Sequence, residues 1–294
     1  MDWNDSPIVR IGRDGDWFEL GRDPSATPAL HLYGSMGLGL PLANISKSER
    51  LTSDGSVVRG VRYEDREVFI PLLLEADSVH ELNTIRQRMF RIMAPDLGPV
   101  EVQLEIPQGP GQSPRLRSIY GYLVEGLDGD FSKEYGGVWQ TLGLVFDCPD
   151  PWWLGPERTQ TLRLNPGSKP FLSDTIPFFP VVLSSSSVAG EWNIAIEGDG
   201  DVWPTWEIIG PGRDLIIKRG NKRIFIQGDF KDDTITRIET EDARITPNRW
   251  ADVSLDSRLF PLSQGPNKLS ITMVGSNEET MVRLTWRERY RGAL

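Results

Sequence analysis

A chain of 294 residues is long for one hydrophobic core and comfortable for two, because single cores stop growing near roughly 250 to 300 residues. The net charge of −10, with basic residues dispersed except over 283–291, argues against a nucleic-acid binder, which needs clustered Lys and Arg to meet phosphates. Cys148 is the sole cysteine, so an internal disulfide framework and a multi-cysteine zinc site are both excluded. No stretch approaches the roughly 18 apolar residues that span a bilayer, which predicts a soluble chain without a membrane partner. The first residues lack a basic region followed by an apolar core, so no signal peptide and no Sec export are expected.

Residues 1–20 read as a short strand pair around Gly12-Arg13-Asp14-Gly15-Asp16, where Asp-Gly supplies the positive backbone angles of a tight turn. Residues 21–42, rich in Gly, Pro and Ser, read as a long loop or arm. The segments 57–63 and 68–74 are β-branched and aromatic and flank the polar linker Glu64-Asp65-Arg66-Glu67, which predicts a hairpin. Pro71 places its strand at an edge or turns its missing donor to an unpaired side. Ser78 and Glu81 match a capping box and start a helix to Met93, with Leu82, Ile85, Met89 and Ile92 on one apolar stripe and Arg86, Arg88 and Arg91 on other faces.

Strands follow over 100–106, 118–124 and 138–147, and this part closes at Asp150-Pro151-Trp152-Trp153-Leu154-Gly155. Beyond it, short strands over 159–164, 192–196, 205–209, 215–219, 223–227, 234–239, 269–273 and 281–287 alternate with Gly, Asp and Asn turns, and 175–187 reads as a strand and flexible loop. The expected fold is mainly β: a β-rich domain with one helix over 1–157, then a β-sandwich or jelly roll over 158–294.

Catalytic signatures are absent. There is no G-x-S-x-G elbow, H-E-x-x-H or Walker loop, and Gly34-Ser35-Met36-Gly37-Leu38-Gly39 lacks the lysine and helix that a phosphate cradle requires. Glu197, Asp199 and Asp201 share one turn and read as turn formers, and His31 and His80 have no metal-ligand neighbours at a useful spacing. No catalytic residue, metal site or cofactor is expected, and Cys148 reads as a small buried apolar residue. Trp203 and Trp206, near a turn of the second region, are the candidates for stacking on a sugar ring, although most tryptophans fill cores or interfaces.

The order of these parts resembles that of siphophage distal tail proteins. Gly60-Val61-Arg62-Tyr63 before the Ile70-Pro71 strand resembles their belt hairpin, 78–93 their single helix, and Asp150-Pro151-Trp152-Trp153 the motif that closes their first domain. Trp192-Asn193-Ile194, Gly198-Asp199-Gly200-Asp201, Pro204 and Ile208-Ile209-Gly210-Pro211-Gly212 resemble the pattern of their second domain, and 262–267 its late turn. The resemblance implies a structural protein of the virion tail tip, made in the host cytoplasm. It implies a homo-hexameric ring of belt domains with galectin-like sandwiches projecting outward. The implied partners are the tail tube protein, the tail-tip hub protein and the tape measure protein.

The contacts expected of such a ring fall on Leu30, Tyr33, Met36 and Leu38 of the 21–42 arm and on Tyr63 and Phe69 of the hairpin region. The arm either packs on its own domain or is covered by a partner. The alternative function is a carbohydrate-binding tail-tip module contacting host glycan through the second domain. A depolymerase and a tail-tip protein of a contractile injection particle are the further readings.

Overall fold

The computed structural model describes residues 7–21, 27–129, 137–164 and 187–294. They form two compact units, Met1–Gly155 with Tyr290–Leu294, and Pro156–Arg289. The segment expected to end the second domain thus belongs to the first unit. The strand and loop expected over 175–187 lie outside the described residues except for Ser187.

In chain order the first unit contains β1 (Ile8–Arg13), β2 (Asp16–Leu20), β3 (Ala29–His31), β4 (Ala43–Glu49), β5 (Ser56–Tyr63), β6 (Arg66–Glu75), α1 (Val79–Met93), β7 (Val100–Ile106), β8 (Arg115–Glu125) and β9 (Trp139–Cys148). Asp14 and Gly15 alone separate β1 from β2, at φ 52° and 88°. That is the left-handed pair a two-residue primed turn demands.

The hairpin expected between 57–63 and 68–74 does not form. β5 pairs instead with β4, from Ala43 opposite Tyr63 to Glu49 opposite Ser56, while β6 runs between β3 and β9. Burial explains the exchange of partners: β6 sinks Val68, Ile70, Leu72 and Leu74 into the core, and β5 leaves its first seven residues in solvent. Pro71 is tolerated inside the sheet because its nitrogen faces the side on which β3 has ended, while its carbonyl accepts from Leu32 N at 2.9 Å. β8 changes sheets along its length, pairing with β7 up to Gly121 and with β9 from Tyr122. A strand shared in this way turns the corner between two sheets, and both enclose one core.

Ser78 caps α1 as expected, its Oγ accepting from Glu81 N at 3.2 Å. Glu81 does not return the bond to Ser78; its carboxylate accepts from Asp77 N at 3.0 Å, one residue earlier. The helix buries Leu82, Met89, Ile92 and Met93 and packs on β1 and β2. Arg86, expected on another face, is also buried. Four residues beyond Leu82 and three before Met89, it lies on the apolar stripe, and its guanidinium is met by Gln140 Oε1 at 2.8 Å and Asn83 Oδ1 at 2.9 Å.

The chain continues through β10 (Trp153–Arg163), β11 (Ser187–Ile196), β12 (Thr205–Ile209), β13 (Gly212–Arg219), β14 (Lys222–Phe230), β15 (Thr236–Glu239), β16 (Arg244–Thr246), β17 (Gly265–Val274) and β18 (Met281–Tyr290). In the second unit one sheet runs β16-β15-β12-β18-β10 and the other β11-β17-β13-β14. Alternate residues from both sheets, among them Trp206, Ile208, Leu284 and Trp286 from one and Ile194, Ile217, Ile226 and Ile271 from the other, make a single core. This is a β-sandwich. Gly198 shows why its turn needs glycine: an added Cβ would stand 2.7 Å from Arg289 O, while Gly198 N donates to the buried Glu288 carboxylate at 2.8 Å.

Candidate assembly surface of the first unit

Two features of the first unit expose apolar side chains together. The first is the β4–β5 hairpin, a two-stranded sheet with no third strand on either edge among the described residues. Ile45 stands opposite Val61 across the ladder, and Ile45, Val57, Val58 and Val61 are all exposed, as is Leu51 in the connecting turn. A lone two-stranded hairpin is marginal in water, and an open apolar edge is a template for another chain. The hairpin also carries four basic residues, Lys47, Arg50, Arg59 and Arg62, against two acidic ones, Glu49 and Asp54. It is therefore positive on a chain whose net charge is −10.

The second feature is the outward face of the β3-β6-β9 sheet. Residues paired across a ladder share a face, so Met36 opposite Phe69, Phe69 opposite Val145 and Glu75 opposite Trp139 align on the side away from the core. Tyr122 of β8, opposite Asp147, extends the face. Met36 is 59% exposed and Trp139 41%, so this face holds apolar surface that no described residue of its unit buries.

The residues expected at a subunit contact divide. Leu30 is buried, paired with Leu73 in the β3–β6 ladder, and is not available to a partner. Leu38 is half-buried and packs on the core. Phe69 is half-buried, its ring over Gly143, where any Cβ would stand 2.6 Å from it. Tyr33 and Met36 remain exposed. Tyr63 sits at the root of the hairpin, edge-on to Trp152 with ring centroids 5.6 Å apart. The arm is divided: Leu30 and Leu38 serve the unit's own core while Tyr33, Met36 and Leu40 face outward. Tyr122 and Trp139 carried no signal in the sequence, because each becomes part of a surface only through pairing between distant strands, and Leu51 carried none because the β4–β5 hairpin itself was not expected.

The candidate sugar platform does not assemble. Trp206 is wholly buried in the sandwich core, and Trp203, 37% exposed, stands without it. Cys148 is buried, and burial, with the nearby Asp147 carboxylate, pushes its thiol from 9.0 up to about 12, so it stays protonated and is no nucleophile at neutral pH. Glu197 accepts from Arg158 Nη2 at 2.8 Å, and Asp199 N donates to Arg289 O at 2.7 Å, which are the contacts of a structural turn. Among the described residues no group of three or more His, Cys, Asp or Glu side chains is placed to hold a metal ion.

Residues 197–290 match the siphovirus-type tail component, C-terminal domain. Over those residues the chain carries the C-terminal domain of siphovirus-type tail components, structural parts of a phage tail. Among solved structures, the chain is similar to the SPP1 Dit (gp 19.1) protein, described as a paradigm of the hub adsorption apparatus in phages infecting Gram-positive hosts. The two share 15% identity over 96% of this chain and 99% of that one, with a TM-score of 0.62. Structures of the phage P2 baseplate in its activated conformation, with Ca and with Sr, each contain a chain similar to this one at 10% identity, covering 96% of this chain and 98% of that chain with a TM-score of 0.55. No curated protein matches the sequence. The resemblance to distal tail proteins read from the motif order therefore holds, over one matched domain in sequence and over nearly the whole chain in fold.

Proposed function

We propose that the protein is the distal tail adaptor of a siphophage virion, six copies of which close into a ring at the tail tip between the tail tube and the tail-tip hub. The observation that carries this reading is the β4–β5 hairpin, an apolar, positively charged element that no described part of its own chain covers. A second copy of the chain supplies both things the hairpin lacks, apolar cover and negative charge. Contacts between two different patches on identical subunits are heterologous and generate rings when the rotation closes. The outward face around Met36, Phe69 and Trp139 is a patch of the kind such a contact needs on the neighbour. In this reading Met1–Gly155 with Tyr290–Leu294 form the belt and Pro156–Arg289 a galectin-like module, with the tape measure protein as a further neighbour and no catalytic role.

The test is native mass spectrometry and negative-stain imaging of the purified protein over a range of concentration. Six-membered rings with a central channel are expected. Monomers alone at high concentration, with no such ring in virions, would overturn the proposal.

A further inference from the structure

Arg66 opens β6 at the root of the hairpin and is almost wholly buried, yet none of its hydrogen bonds goes to a carboxylate. Its guanidinium donates to four backbone carbonyls from three separate stretches of chain: Gly37 O at 2.5 Å and Gly39 O at 2.7 Å, Pro151 O at 2.8 Å, and Arg291 O at 2.6 Å. Burial lowers the pKa of Arg66 from its usual value, the expected direction for a cation taken out of water without an anion beside it. Such a group persists only where a fixed fork of donors finds a matching set of acceptors.

The stretch reached last in sequence is Tyr290–Leu294, which follows the whole second unit yet belongs to the first. Ala293 is buried and its N donates to Leu38 O at 2.8 Å. Arg291, with its carbonyl held by Arg66, turns its side chain to the hairpin root: Nε donates to Tyr63 Oη at 3.0 Å, and the guanidinium lies 5.7 Å from the Trp152 ring, on which Tyr63 also packs edge-on.

We infer that segment 290–294 is a clasp, in which Arg66 and Arg291 act as positioning residues that fix the direction in which the β4–β5 hairpin leaves its unit for a neighbouring copy. This rests on the ring reading above. Arg66 holds the backbone of the clasp, Arg291 passes that constraint to Tyr63, and Tyr63 is the last residue of β5. Ordering the root lowers the entropy the hairpin loses on docking, which raises affinity without adding any contact to the partner. It also makes assembly depend on a segment synthesised after the second unit, so a chain that stops before residue 290 presents an unclasped hairpin.

The test uses Arg291→Ala in the full chain, read by hydrogen exchange of peptides covering 43–63 and, separately, by the concentration at which assemblies form. Both the exchange rate at the hairpin and the half-assembly concentration are expected to rise about tenfold, the factor carried by one hydrogen bond from a charged donor. Exchange in β7 and in the sandwich strands stays at wild-type rates, which separates positioning from general destabilisation. Tyr63→Phe, which keeps the ring on Trp152 and removes only the acceptor, moves both readouts in the same direction by less. Wild-type exchange at 43–63 in Arg291→Ala overturns the clasp, and so does lost assembly with unchanged exchange, which would make Arg291 a contact residue. A wild-type protein that never assembles overturns the ring reading, while the exchange arm still decides the clasp.

Discussion

The two units treat their large apolar side chains differently. Among the described residues, eighteen such side chains more than a third exposed lie in the first unit and four in the second. The second unit is a self-sufficient sandwich that turns Trp192, Trp206 and Trp286 inward. The first leaves a hairpin and a sheet face that no described residue of its own covers. Solvation alone disfavours such surface, and its concentration in one unit is the reason the proposed ring is built from that unit.

The self-sufficiency of the second unit depends most on Trp206. Trp206→Ala is expected to destabilise the sandwich by about 3 to 5 kcal/mol, the cost of emptying a core aromatic site. Trp203→Ala, at a partly exposed site, is expected to cost well under half of that. Denaturant titration of the two variants checks the ranking. Equal losses would mean that the second unit is not organised around its buried aromatics.

Next in size is the hairpin. Ile45→Asp with Val61→Asp puts two like charges directly across the ladder on the surface that docks in the proposed ring. Assembly is expected to weaken by about a hundredfold, or about 2.7 kcal/mol, while the melting of the free protomer changes little. Light scattering against concentration measures the first and circular dichroism the second. Undiminished assembly would move the contact off the hairpin.

What the sequence made legible follows the range of the forces involved. The Asp14-Gly15 turn, the Ser78 cap and the short strands of the sandwich depend on neighbours within a few residues, and all were readable. The pairing of β5 with β4 was not, because residues 43–49 are mostly polar and show little of the alternation that marks a half-buried strand; a hairpin exposed on both faces has no reason to show it. Arg66 lay in a linker that looked like a solvated turn, and only the fold brings carbonyls from residues 37, 39, 151 and 291 to one guanidinium. Trp203 and Trp206 were indistinguishable by type, and strand alternation then sent Trp206 inward.

Cys148 sharpens the comparison by pH, since it is the one thiol and it lies in the core of the first unit. Its folded value of about 12 exceeds the ordinary 9.0, so above pH 9 the unfolded chain releases this proton while the folded chain keeps it. The unfolded state then binds fewer protons, and stability falls as pH rises between those values. Below pH 9 the contribution is complete. Unfolding measured at pH 8 and pH 10 in wild type and Cys148→Ala should show the steeper loss in wild type. Parallel losses would assign the alkaline sensitivity to other groups.

The smallest effect tests whether the helix serves the first unit alone. Ser78→Ala removes the acceptor for Glu81 N and is expected to cost about 1 kcal/mol, because the start of α1 loses one of its few satisfied amides. For a unit of this size that corresponds to a fall in melting temperature of about 2 to 5 °C. Ser78→Asp should restore most of it, since aspartate caps as well as serine and its charge suits the positive end of the helix. The loss belongs to the first unit only, as α1 packs on β1 and β2 and contributes Leu82, Met89, Ile92 and Met93 to that core. Hydrogen exchange in β13, β14 and β17 therefore stays at its wild-type rate while exchange in β1 and β7 accelerates. Acceleration in both sets would mean that the two cores unfold as one, and the contrast between a unit with exposed apolar surface and a self-sufficient one would then describe surfaces and not stabilities.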